Sequence, residues 1–149
     1  MKKLKGVILV FALSLCLLSP AQAEEQRYIS IRNTDMVWVP GNVCVWQFRL
    51  DNGGSGEGFG PLTLSLRPKD KGGNTLAMGN MAVAAFGNSD ATRSQEASLE
   101  NECVDNDSSV EIMKATEERN GYQFDLPLSV FDPQYYQPLQ VTVVGGKAS

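Results

Sequence analysis

From Val43 to Leu50 the side chains alternate without a break. Cys44, Trp46, Phe48 and Leu50 fall on one face, and Val45, Gln47 and Arg49 on the other. A period of two sustained over that length buries one side only as a β-strand, because successive Cβ atoms point to opposite faces of a sheet. The cysteine face is the core face, since a disulfide beside a Trp and a Phe excludes water. The same period returns in Tyr28 to Asn33, with Ile29 and Ile31 inward, and in Leu62 to Arg67, with Leu62, Leu64 and Leu66 inward. It returns again where Ala97, Leu99, Asn101 and Cys103 alternate with Ser98, Glu100, Glu102 and Val104, Asn101 being the polar exception on the inner face.

The remaining segments are less regular. Met36 to Val39 is a short apolar run stopped by Pro40-Gly41, and Leu139 to Val144 is the last strand before the Gly145-Gly146-Lys147 tail. Leu76 to Phe86 is apolar but holds Gly79 and four alanines, which predicts a bulge or a weak edge strand. Over Val110 to Arg119 two patterns compete. The spacing of Val110, Met113 and Lys114 admits a helix. Asn120-Gly121 suits a type I′ turn, with Val110 to Glu118 and Tyr122 to Leu126 as the arms, and the hairpin is the favoured reading. About seven short strands joined by turn residues predict an all-β chain. The expected architecture is an antiparallel β-sandwich of fibronectin III or immunoglobulin-like type.

Asp51 to Pro61 carries Gly53, Gly54, Gly56, Gly58 and Gly60. The spacing fits neither G-x-G-x-x-G nor a phosphate loop ending in Gly-Lys-Ser/Thr, so the stretch reads as a flexible connection. Phe59 inside it is either pinned into the core or displayed on the surface.

Residues 1–23 have the form of a cleaved secretory signal. Lys2, Lys3 and Lys5 are basic, Val7 to Leu18 is apolar, Ser19-Pro20 breaks the run, and Ala21-Gln22-Ala23 is a small-x-small cleavage site. The apolar run is short for a membrane span. The expected mature chain is 24–149, one β-sandwich domain, working outside the cytoplasm and reaching the exterior through the periplasm. It holds ten basic and seventeen acidic residues, a net charge of −7. Such a charge repels nucleic acid and anionic lipid and favours a basic partner.

Cys16 leaves with the signal, and Cys44 and Cys103 remain, the right number for one disulfide in an oxidising compartment. The bond can close within one chain or between two. The sequence contains no histidine, which removes Ser-His-Asp and Cys-His nucleophile pairs and most zinc sites. Asp105-x-Asp107-x-Ser109 loosely echoes a calcium loop, but Val110 stands where the glycine belongs and Thr116 at the twelfth position, so it reads as a solvated acidic loop. No catalytic residue, metal site or cofactor is expected, and the chain is read as a binding protein rather than an enzyme. The candidate partner-binding residues are aromatic: Trp38 beside the Pro40-Gly41 break, Phe59 in the glycine-rich stretch, and Tyr135 and Tyr136 in a loop bounded by Pro133 and Pro138. The alternative for the tyrosine pair is one ring packed under the sandwich end and one at the surface.

Several longer strings carry a resemblance. They are Met1 to Lys5 with Glu24 to Asn33, Gln47 to Gly54, Gly58 to Thr63, Lys114 to Glu118 and Leu126 to Gln134. In these the chain resembles the interleukin receptor mimic protein A family of pathogenic enteric bacteria. The resemblance implies a small secreted virulence factor with a fibronectin III-like fold, assembled as a domain-swapped homodimer. It also implies binding of host cytokines such as interleukin-2, -4 and -10, which would modulate host immunity. Cytokine receptors usually carry a Trp-Ser-x-Trp-Ser box, and neither Trp38 nor Trp46 sits in one. Any mimicry is then one of shape, and no binding residue carries over. The glycines of 51–61 would serve as the hinge of the swap, and a weak strand at 76–86 would leave an edge open to a second chain.

The competing class is a periplasmic or surface assembly protein, such as a pilus subunit or an accessory inhibitor. Pilus subunits usually carry an alternating strand with a penultimate aromatic at one end. Gly146-Lys147-Ala148-Ser149 lacks it, which favours the binding-protein reading.

Overall fold

The alternation of Val43 to Leu50 is realised as a strand whose inward side chains Cys44, Trp46, Phe48 and Leu50 are fully buried. The computed structural model describes residues 27–135 and 139–145, so the signal segment 1–23 and Tyr136 lie outside the described residues. The strands are β1 (Ile29–Val39), β2 (Val43–Asp51), β3 (Leu62–Lys69), β4 (Gly79–Val83), β5 (Ser94–Glu102), β6 (Ser109–Arg119), β7 (Tyr122–Asp125), β8 (Phe131–Pro133) and β9 (Gln140–Val143). One sheet runs β5-β2-β1-β8 and the other β4-β3-β6-β7, with β9 also paired to β6. Their inner faces meet in one core, Ile29, Ile31, Trp46 and Phe48 from the first sheet and Leu62, Leu64, Leu66, Ile112 and Val141 from the second. The all-β sandwich expected from the period-two segments is therefore the observed fold.

Both sheets are mixed rather than wholly antiparallel. β8 lies parallel to β1, and β9 parallel to β6. The cause is the end of the chain. β7 stops at Asp125, the chain crosses to the first sheet for β8, and it then returns to the part of β6 that β7 leaves uncovered. β7 covers Thr116 to Arg119 and β9 covers Ser109 to Ile112. Pro127 and Pro133, which have no N–H to donate, mark these breaks in pairing.

The β6–β7 hairpin forms as its turn residues predict, with Asn120 at φ 53° and Gly121 at φ 82°. The helix-like spacing inside β6 has a specific origin. Ser65 pairs with Lys114 while Leu66 pairs with Ile112, so Met113 is an extra residue in a bulge. The bulge moves the inward face from Val110 and Ile112 to Ala115 and Glu117.

Of the apolar stretch 76–86, Gly79 to Val83 is a strand, and it is the edge of the second sheet. The glycine-rich connection is less loose than its composition implies. Gly53, Gly54 and Gly56 take positive φ and are exposed. At one end of the connection the buried Asn52 donates to the carbonyls of Glu57 and Gly87. At the other end Phe59 bridges to Phe86.

The disulfide closes within the chain, Cys44 to Cys103 with Cα atoms 4.9 Å apart. It joins β2 to the residue just past β5, two neighbours in one sheet, rather than linking the two sheets of the sandwich.

Candidate functional site

Of the sequence-predicted candidates among the described residues, Trp38 is the one the fold leaves most open, at 63% exposure. A bulge between Asn33 and Asp35 resets the alternation of β1, after which Met36 and Trp38 share a face. Met36 packs against the core. Trp38, at the end of the strand opposite Cys44, projects past the cover of the second sheet. Its ring flanks a depression of about 220 Å³ lined also by Asp70, Leu76, Glu102, Cys103, Val104 and Asp105. The neighbouring Val37 is exposed as well. Backbone and side-chain N–H groups of Asn74 hold the Asp70 carboxyl below its usual range, so this rim is anionic at neutral pH. A large aromatic over an acidic, disulfide-braced ledge can anchor a partner with a basic, partly apolar surface.

The other candidates fall elsewhere. Phe59 is not a surface anchor. It is 2% exposed and stacks on Phe86 with ring centroids 5.4 Å apart. The Arg27 guanidinium lies 4.0 Å from its centroid. Phe59 is drawn inward because its backbone pairs with Phe86 in both directions. Tyr135 is exposed just past β8, at the level of the middle of β1. The structure does not bring Trp38 and Tyr135 onto one patch, because Trp38 sits at the far end of the β1–β2 ladder.

One exposed feature escaped the sequence reading. All four residues of β7 are exposed, including Tyr122 and Phe124 on one face. The Arg119 guanidinium lies 4.5 Å from the Phe124 ring. The signal was present as the alternation Tyr-Gln-Phe-Asp in the second arm of the hairpin. Among the described residues no cluster of three or more His, Cys, Asp or Glu is placed to hold a metal ion.

The profile of the family described as interleukin receptor mimic protein A, or IrmA, matches residues 29–134. The chain belongs to this family. The matched span runs from the first residue of β1 to just past β8, so it contains the disulfide and the Trp38 ledge. The solved structure of IrmA from Escherichia coli is similar to this chain, with 64% identity and a TM-score of 0.70. That comparison covers 79% of this chain and all of the other. None of the curated proteins matches the chain. The IrmA family takes its name from receptor mimicry, a binding role and not a catalytic one.

Proposed function

We propose that this protein is exported, loses residues 1–23 and binds host cytokines outside the bacterial cell, with the Trp38 ledge as its contact face. The observation that carries the reading is Trp38 itself, exposed on a rigid strand end in a domain whose family is named for mimicry of interleukin receptors. A Trp of this kind is a typical binding hot spot, because a large ring contributes contact area at low entropic cost. The acidic rim and the net charge of −7 favour a cytokine with a basic surface. The signal pattern and the disulfide support an oxidising, extracytoplasmic destination.

The same reading includes a homodimer formed by exchange of strands. The β2–β3 connection crosses from one sheet to the other, and its exposed middle, Gly53 to Glu57, is the natural place for two chains to cross over. Light scattering on a sizing column tests both parts. The mature protein is expected at twice the chain mass and should gain mass with interleukin-2, -4 or -10. Trp38→Ala should abolish the gain while leaving the dimer intact. A protein inert to all three cytokines overturns the reading, and a monomer overturns the exchange.

A further inference from the structure

The Cys44–Cys103 bond joins the two parts of the chain that the β2–β3 connection separates. β1 and β2 come before its exposed middle, Gly53 to Glu57, and β3 to β9 come after it. Cys44 belongs to β2, and Cys103 follows β5, 59 positions further on. In sequence the bond spans the connection. In space its cysteines are neighbours, with Cα atoms 4.9 Å apart.

Most of the fold's other contacts cross the same divide. β2 pairs with β5 along its whole length, and β1 pairs with β8. Arg27 pairs with Glu117, and Ile29, Ile31, Trp46 and Phe48 share one core with the inner side chains of β3 and β6. None of these contacts depends on which chain supplies β1 and β2. Exchange through the exposed crossing would reproduce each of them between two chains, and Cys44 of one chain would then meet the partner's Cys103. The closed and exchanged arrangements share their local contacts, so the bond does not choose between them. It does fix the choice. Cys44 and its Cys103 stay joined through any unfolding that leaves the sulfur–sulfur bond intact. A strand pair tied in this way cannot move to another chain.

We propose that the Cys44–Cys103 disulfide is a redox lock on strand exchange. Once closed, it holds β1 and β2 to the chain on which they packed at the moment of oxidation, and only reduction reopens the choice. The inference rests on the exchanged homodimer proposed above. It adds that the assembly is decided where the bond forms, in an oxidising compartment. A dimer held by non-covalent contacts alone reverts on dilution by mass action. A locked one carries its state unchanged to low concentration outside the cell.

Opening the lock takes two electrons from a dithiol reductant. One thiolate of the reductant attacks Cys103 Sγ, forming a mixed disulfide and releasing Cys44 as a thiolate. The second thiol then attacks the mixed disulfide, closes the reductant's own disulfide and releases Cys103. The two protons lost by the reductant end on the two cysteines. Cys103 is the one within reach, since it is half-buried and lines the depression beside Trp38, whereas Cys44 is fully buried. A leaving thiol in apolar surroundings has a raised pKa and leaves slowly, so the folded protein resists mild reduction.

The test mixes two batches of the oxidised mature protein, one of them isotope-labelled, and reads the dimer masses by native mass spectrometry. The mixture is first taken through the urea unfolding transition and back, with or without dithiothreitol. Dimers of mixed mass should form with dithiothreitol and be absent without it. Cys44→Ser with Cys103→Ser should give mixed dimers under both conditions. If that variant fails to fold, dilution of the parent protein through the same urea cycle carries the comparison. The oxidised dimer should keep its mass, and the reduced one should fall to the single-chain mass. Mixed dimers from the oxidised protein, or none from the reduced protein, would overturn the lock. A single-chain mass in every sample would overturn the exchanged dimer itself, and the lock with it.

Discussion

Arg27 and Glu117, ninety positions apart, close on each other as a bidentate pair, Nη1 to Oε1 at 2.8 Å and Nη2 to Oε2 at 2.7 Å. Glu117 is 2% exposed and sits on the inward face of β6, where a sandwich ordinarily places an apolar side chain. Its Oε2 also accepts from the Gly60 amide, and Arg27 donates to the Gly58 carbonyl. One ion pair thus ties the start of β1, the β2–β3 connection and the end of β6 together. Removing Arg27 leaves the buried Glu117 carboxylate to the Gly60 amide and to Arg119, whose Nε lies 3.6 Å from Oε1, so Arg27→Ala should cost about 3 kcal/mol in urea unfolding, the low end for a broken buried pair. The double variant Arg27→Leu with Glu117→Leu should recover most of that loss. A single variant as stable as the parent would show that the pair contributes nothing.

The same pair gives stability an acid limit. Burial pushes the Glu117 carboxyl up, but hydrogen bonds from Arg27 and Gly60 and the Arg27 and Arg119 charges outweigh it and hold the group below its ordinary value. Glu111 is also held low, chiefly by its bond to Arg67. A depressed carboxylate stabilises the fold above its unfolded pKa, about 4.3 for Glu, and that stability is lost as pH falls through the folded value. Unfolding free energy should therefore be flat near neutrality and fall below about pH 4. Glu117→Gln should show a shallower acid slope than the parent.

How much of this was legible follows from what period-two patterns report. The strands around Cys44–Leu50 and Leu62–Leu66, the Asn120-Gly121 turn and the disulfide partners were readable, because face, turn chemistry and cysteine count are local properties. The Met113 bulge was not, since an inserted residue in a strand mimics helical spacing. The parallel β8 and β9 were hidden because a three- or four-residue strand carries almost no periodic signal. Phe59 was undecided until the fold supplied Phe86 and Arg27 as its neighbours.

Tyr28 should ionise above the usual phenol range in an alkaline titration. The hydrogen bond to Asp132, burial and the Asp132 and Asp51 charges raise its pKa to about 12. The folded state keeps its proton to higher pH than the unfolded chain does. Its contribution is thus fully present below about pH 10 and is lost as pH rises toward the folded value. Asp132→Asn should bring the phenol back toward about 10, read as ultraviolet absorbance of the tyrosinate. An unchanged titration would mean that the Asp132 contact is not formed in solution.

Asn33 is a second buried polar side chain that the core depends on. Its Nδ2 donates to the Asp35 and Gln47 carbonyls, and its Oδ1 accepts from the Leu139 amide at 3.2 Å. The amide fills the gap left by the β1 bulge and holds the lead-in to β9. Asn33→Ala leaves buried backbone groups unpaired and should cost about 3 kcal/mol. Hydrogen exchange should rise first at Leu139 and along β9, where the side-chain acceptor is lost.

The last prediction concerns the disulfide. Cys44 and Cys103 are 59 positions apart, and the bond restricts the unfolded chain by closing that loop, an effect of about 4 kcal/mol on the chain-entropy account. The β2–β5 ladder already pairs Val43 with Glu102, so the folded strands are held in place without the bond. Its loss should therefore act through the unfolded state. Cys44→Ser with Cys103→Ser should keep the fold and lower the urea midpoint sharply, with little change in the native near-ultraviolet spectrum of Trp46. A collapsed native spectrum would instead show that the bond shapes the folded core. A non-reducing denaturing gel should show a single-chain band where the bond closes within one chain, and a two-chain band where strands exchange at Gly53 to Glu57, because that crossover lies between Cys44 and Cys103.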